Sequence, residues 1–432
     1  MAHIVPFRGV RYASEIVGDI STVVTQPYDR IGPHNQPRYY EASPHNIVRI
    51  VKGRSQPGDN GTNVYTRAAA TFAEWMAHGV LVRDPEPSLY VYHQAYDFGG
   101  DRLIRKGFVA LGRLEAAGVH AHERTLRGPK EDRLRLMRAT EANFGHIFML
   151  YSDPDRLADR LLAEAITGRA PIIEAVDEFG NDHRVWRVVD ETILRGVQAA
   201  LADKDLYIAD GHHRYETAVT FMQECVEKGW TPAAAESFDV RMMTLFNLDE
   251  PGMTIRPIHR LVHGIDGFRR SAFLESASEV FHIDASDSLD AARAALAAGA
   301  AQNTYVFYAE GRFTVLRRRE QVAVESLITG PHSTDWKRLD VSVLHAAVFD
   351  RILGIDAAAL EEQRNITYTV DAQAGIDAVD RGDEQALFLL NPTGADEVRR
   401  VADHDERMPQ KSTDFYPKLL TGLLASKMEI AK

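Results

Sequence analysis

Five consecutive residues, Asp210-Gly211-His212-His213-Arg214, place a carboxylate, a glycine, two imidazoles and a guanidinium where one hydrophobic periodicity gives way to another. Before them, Leu206 and Ile208 alternate as in a strand. After them, Ala218, Phe221, Met222, Cys225 and Val226 recur at helical spacing. The pattern predicts a strand, a tight turn and a helix. The first N–H groups of a helix and the positive end of its dipole favour an anion, and phosphate is the commonest one. Asp210, Gly211, His212, His213 and Arg214 are therefore candidate contacts for a phosphoryl group. Asp210 could hold Mg²⁺ through water or simply cap the helix. The plainer reading is a capped junction with surface histidines.

A second group surrounds His120-Ala121-His122-Glu123. Between residues 101 and 138 there are ten Lys or Arg against five Asp or Glu, an excess that suits a small polyanion. Lys130 and Arg133 lie nearest to the His-Glu turn and are the candidate phosphate ligands there. Glu123 is a candidate general base that would take a hydroxyl proton, with His122 orienting it. Asp29, in the turn Pro27-Tyr28-Asp29, is a rival acid. His120 and His122 could instead ligate a metal, although no HExxH or CxxC occurs. The tail supplies further donors in Lys411, Ser412, Thr413 and Lys418. No GxxxxGK[ST] loop, GxGxxG turn or GxSxG elbow is present, so phosphoryl chemistry would need another scaffold.

The elements that must position these groups alternate irregularly. A helix is predicted over 64–78, a hairpin over 89–96 and 106–114, and a helix over 128–142. Strands follow at 148–151, 185–189 and 206–208. A link at 231–240 leads to a region with strands at 241–248, 304–308 and 313–317 and helices at 288–298 and 341–350. That irregularity predicts an α+β fold with mixed sheets rather than a doubly wound one. The length of 432 residues exceeds one ordinary core. The expected division is a catalytic region at 1–235, a second α/β region at 236–407, and a segment at 408–432 that returns to the site. The second region could serve as a lid, a dimer interface or half of the site, so a homodimer is among the expected states. The net charge of −12 argues against a nucleic-acid partner. No apolar run approaches a membrane span, and the opening MAHIVPFRGVRYASEI has no signal-peptide core. The single cysteine, Cys225, excludes an intrachain disulfide and fits a reducing, cytoplasmic setting.

The segments PYDRI (27–31), HERTLRGPKEDR (122–133), IFMLY (147–151), YIADGHHRYETA (207–218), DVSVL…ILGI (340–355) and MPQKSTDFYPKLLTGL (408–423) resemble the DUF1015 family, over nearly the whole chain and in the same order. More distantly, IADGHHRYETA resembles the phosphate-binding strand–turn–helix of the ParB/sulfiredoxin superfamily. That superfamily includes kinases of free serine with a similar DGHHR element and an upstream catalytic glutamate. The resemblance implies that Asp210 to Arg214 hold a phosphoryl donor and that Glu123, or its rival Asp29, is the base. It also implies Mg²⁺ with ATP, ADP or pyrophosphate, a hydroxyl acceptor such as free L-serine, and a place in serine metabolism. A hydrolase using the same site and a non-enzymatic nucleotide-binding switch are the alternative functions.

Overall fold

The computed structural model describes residues 3–60, 63–114, 118–121, 127–404 and 406–432. The chain forms two compact units, one of residues 1–253 with 417–432 and the other of residues 254–416.

The first unit is built on a nine-stranded mixed sheet. Its order is Val119–Ala121, Leu206–Asp210, Ile147–Tyr151, Val240–Asn247, Asp101–Arg113, Leu89–Phe98, Asp182–Val188 and Ile173–Val176, with Ile4–Val5 added beside Asp101–Arg113. Leu206–Asp210 runs parallel to Val119–Ala121, and Val240–Asn247 runs parallel to Ile147–Tyr151. The other pairings in this sheet are antiparallel. Ile147–Tyr151 and Val240–Asn247 are buried at every position, as strands covered on both faces must be. On one face, Ala158, Leu162, Leu194, Val197 and Leu201 from the helices Leu157–Ile166 and Glu191–Leu201 pack on Met149, Ile208, Met243 and Leu245. A separate cluster joins the helices Arg127–Thr140 and His212–Glu227 through Leu134, Met137, Ala218, Phe221 and Cys225. Cys225 is thus a core residue.

The helix, hairpin and strand expectations for 64–208 match the structure to within a few residues. The strand at 240–247 does not belong to the later region. It occupies the middle of the first sheet, so the first unit continues to Met253. The segment at 408–432 is divided as well: residues 408–416 fold with the second unit and residues 417–432 with the first.

The second unit has a six-stranded antiparallel sheet in the order Phe281–Ser286, Arg312–Arg318, Thr304–Ala309, Ala386–Leu389, His259–Val262, Ile366–Thr369. Leu289–Ala298 and Ala372–Asp380 cover one face, and a larger apolar cluster that includes Phe273, Val343 and Phe349 covers the other. The predicted helix at 341–350 changes partway from an α-helix, Asp340–Leu344, to a π-turn, His345–Asp350. Both units combine helices with mixed or antiparallel sheets, which makes the fold α+β. Among the described residues, no helix is long and apolar enough to cross a membrane.

Candidate functional site

The strand Leu206–Asp210 pairs Ile208 with Met149 and then Asp210 with Phe148, which leaves Ala209 as an extra residue. Such a bulge bends the strand and re-aims the side chain after it. Gly211 follows at φ +98°, and a Cβ there would lie 3.1 Å from both Cζ and Nε of Arg214. Glycine is required twice over, for the left-handed backbone and for the close approach of the guanidinium. The helix His212–Glu227 begins at the next residue.

Arg214 donates from Nη2 to Asp210 Oδ1 at 2.8 Å and from Nη1 to the His146 carbonyl. Lys418 Nζ donates to Asp210 Oδ2 at 2.7 Å. Each carboxylate oxygen of Asp210 therefore faces a cation. Burial alone would push the Asp210 carboxyl up, but Lys418 and Arg214 together hold it well below the usual carboxylate range. Both oxygens of Asp210 are in ion pairs, so the Mg²⁺ expected there would meet this carboxylate only through water. Among the described residues, no group of three or more His, Cys, Asp or Glu is gathered as a metal site.

Lys418 is itself held from behind. Arg105 is 1% exposed and lies between the rings of Phe148 and Phe246, with its Cζ 4.7 and 4.8 Å from their centres. It donates to Gln94 Oε1 and to the Pro417 carbonyl. Gln94 Nε2 donates to the Lys418 carbonyl at 2.9 Å. A buried guanidinium–amide pair thus fixes the backbone from which Lys418 extends.

Beside the corner is a small recess lined by Tyr28, Arg133, Arg214 and Arg241, with a mostly apolar wall that includes Leu136, Met137 and Phe144. All of these belong to the first unit. Arg133 keeps Asp132 as its acid and stacks on the Tyr28 ring at 4.1 Å. Arg241 is 4% exposed. Its Nη2 donates to the Gly145 carbonyl at 3.2 Å, while its Nε and Nη1 have no hydrogen-bond partner among the described residues. Burial, with Arg214 and Arg133 adding like charge, pushes Arg241 down to about 9. Burial and the same kind of neighbours, Arg214 and Arg241, push His146 down to about 3, so this imidazole is neutral at ordinary pH. It meets Thr244 Oγ1 through Nδ1 at 2.8 Å.

The structure brings together Asp210, Gly211, Arg214, Arg133 and Lys418 from the sequence-based set, and His212 is buried beside them on the first turn of the helix. His213 is only partly exposed on that same turn. Lys130 pairs with Glu216 on the neighbouring helix. Asp29 is exposed next to Tyr28, whose phenol is pushed up by burial and, to a lesser extent, by the Asp29 charge. Lys411, Ser412 and Thr413 lie in the second unit. There the Lys411 carbonyl accepts from Arg260 and the Ser412 carbonyl accepts from Thr393. Glu123 and His122 lie outside the described residues. Sequence reasoning missed Arg241, Arg105 and Gln94. A second recess is lined by His93, Lys106, Arg156, Arg160 and Glu250, and there Lys106 and Arg156 pair with Glu250 at 3.5 and 3.0 Å.

A family profile described as "Protein of unknown function (DUF1015)" matches residues 4–342. No curated protein matches the chain. Among solved structures, a free serine kinase variant in complex with AMP is similar at 10% identity and a TM-score of 0.36, covering 74% of this chain and 90% of that one. SbnI with a C-terminal truncation, from Staphylococcus aureus, has 10% identity and a TM-score of 0.35, covering 72% and 85%. A conserved hypothetical protein from Pyrococcus furiosus has 10% identity and a TM-score of 0.33, covering 70% and 89%.

Proposed function

We propose that this chain, which belongs to the DUF1015 family, is a small-molecule phosphotransferase. The donor is a nucleotide or pyrophosphate, bound through its phosphoryl end at the corner formed by Gly211, Arg214 and Lys418. The acceptor is a hydroxyl on a small molecule, with free L-serine or a related hydroxy amino acid as the leading candidate.

The observation that carries this reading is a buried surplus of positive charge in a protein of net charge −12. Among the described residues, Arg105, Arg133, Arg214, Arg241 and Lys418 gather around two carboxylates, Asp132 and Asp210. Removing such charges from water is costly unless anions join them, and a phosphoryl group at a helix N-terminus supplies that anion. In the reaction, the acceptor oxygen forms a new P–O bond while the bond to the leaving phosphate or nucleotide breaks. The hydroxyl proton passes to a carboxylate base, Glu123 or Asp29. The cations stabilise the charge on the transferring oxygens.

Phosphorus NMR of ATP, ADP and pyrophosphate, each with and without L-serine, tests the proposal. The expected result is a new phosphomonoester signal that depends on the amino acid. Release of inorganic phosphate that does not depend on the amino acid would replace this reading with hydrolysis. Donor binding without any consumption would remove the enzymatic reading altogether. Glu123→Gln and Asp29→Asn, compared under the same conditions, identify the base.

A further inference from the structure

We propose that the recess beside the Asp210 corner is a separate anion subsite, in which Arg241 binds the carboxylate of a small organic acid. Three observations support this. First, among the described residues, Arg241 has no carboxylate of its own. Arg133 is paired with Asp132 and Arg214 with Asp210, whereas among the described residues the one acceptor for Arg241 is a backbone carbonyl, and two of its nitrogens are left unmatched. A guanidinium buried in this way carries a desolvation penalty that an incoming anion relieves.

Second, the recess is built for an anion with an apolar body. A guanidinium fork matches carboxylate and phosphate alike, so the lining decides between them. The wall here is Val51, Leu136, Met137, Ala142 and Phe144. Apolar lining with a few convergent polar groups is the usual make-up of a small-molecule site.

Third, the recess and the donor corner share Arg214, which lines one and holds Asp210 in the other. An acid seated against Arg241 would thus lie next to the phosphoryl-binding group. Taken as the acceptor's carboxylate, this subsite rests on the phosphotransferase reading and narrows its acceptor to hydroxy acids and hydroxy amino acids. As a binding site it stands independently of that reading.

The experiment is calorimetric titration of the whole protein with glycolate, L-lactate, L-serine and L-threonine, and with L-serine amide and inorganic phosphate as controls. Arg241→Met is the test variant. Replacing an unpaired buried cation with an apolar side chain of similar length is generally tolerated. If that variant fails to fold, Arg241→Lys, which keeps the charge and loses the fork, is read in the same way. At least one acid is expected to bind the wild type and to bind the variant tenfold or more weakly, while L-serine amide does not bind. The subsite is overturned if no acid binds, or if the acids bind wild type and variant equally. It is also overturned if inorganic phosphate displaces the acids and alone depends on Arg241. Acid binding through Arg241 without phosphoryl transfer would retain the subsite and remove the phosphotransferase. Transfer to an acid whose affinity is unaltered in the variant would do the opposite.

Discussion

Lys418 Nζ lies 2.7 Å from Asp210 Oδ2, a contact between residues 208 positions apart. The first unit is therefore closed by the last stretch of the chain, and the candidate site is complete only when residues 417–432 have docked. Both side chains are largely shielded, at 12% and 21% exposure. Lys418→Met is expected to cost about 1–3 kcal/mol, the range for leaving a shielded charged group without one partner. Arg214 still faces the other oxygen, which keeps the loss from being larger. Chemical denaturation measures the stability term, and titration with pyrophosphate is expected to show weakened binding. Unchanged binding would place Lys418 outside the donor site.

Arg214→Ala is expected to lower turnover by about 10²–10³-fold, the cost of losing one preorganised donor. The structure adds a consequence for stability. Arg214 is 7% exposed and serves both Asp210 and the His146 carbonyl, so its removal also lowers the melting temperature. Arg214→Lys separates the two effects. It keeps a charge near Asp210 but cannot reach both partners with a planar fork. Wild-type turnover in either variant would refute the role of the corner.

Much of this corner was legible in the chain because its signal is local. A strand alternation that ends at Asp210 and a helical spacing that begins at His212 leave little room for another geometry. Lys418 was readable only as one donor among several in a polar tail. Lys418 belongs to the first unit, whereas Lys411, Ser412 and Thr413 belong to the second. Arg241 was hidden for the opposite reason. It stands alone in VRMMTLFN, a run whose positions are all buried. Period-two reasoning treats a lone arginine in such a run as a residue turned to solvent. The clue lay in its neighbours: with Val240 and Met242 on either side and a strand covered on both faces, no solvent face remains for the guanidinium. The sequence also cannot show that Glu216 packs against Lys130 from the adjacent helix.

Gly211→Ala is expected to disturb the site without touching a charge. The backbone there is at φ +98°, and the added methyl would press on Arg214 at 3.1 Å. Strain of about 1–3 kcal/mol follows for a side chain forced into that region. The guanidinium must also shift away from Asp210. A crystal structure of the variant with Arg214 unmoved, or a melting temperature equal to wild type, would contradict this account.

The pH dependence of stability has a defined sign. Asp210 is held below its unfolded carboxyl value, which is about 3.9, because Lys418 and Arg214 outweigh the opposing effect of burial. The contribution of its ion pairs is therefore fully present above about pH 4 and is lost as pH falls toward the lower folded value. Asp210→Asn removes that contribution. The gap in melting temperature between wild type and variant is expected to be large at pH 7 and to shrink below about pH 4. A gap that stays constant with pH would mean that the Asp210 charge does not hold the corner together.

Arg105 provides the test of how the tail is held. Its guanidinium bridges Gln94 and the Pro417 carbonyl between two phenylalanine rings, while Gln94 anchors the Lys418 carbonyl. Burial pushes Arg105 down to about 10, so it remains charged at neutral pH and needs these acceptors. Arg105→Lys keeps the charge, but an ammonium is a compact point charge and cannot span both acceptors as the fork does. The expected outcome is a looser tail: faster cleavage near residues 417–420 in limited proteolysis, and weaker pyrophosphate binding through loss of Lys418 from its position. Combining Arg105→Lys with Lys418→Met then distinguishes positioning from a direct role. If Arg105 acts through Lys418, the double variant binds pyrophosphate no more weakly than Lys418→Met alone. If the two losses add, Arg105 contributes to the anion site through its own charge, and the clamp is only part of what it does.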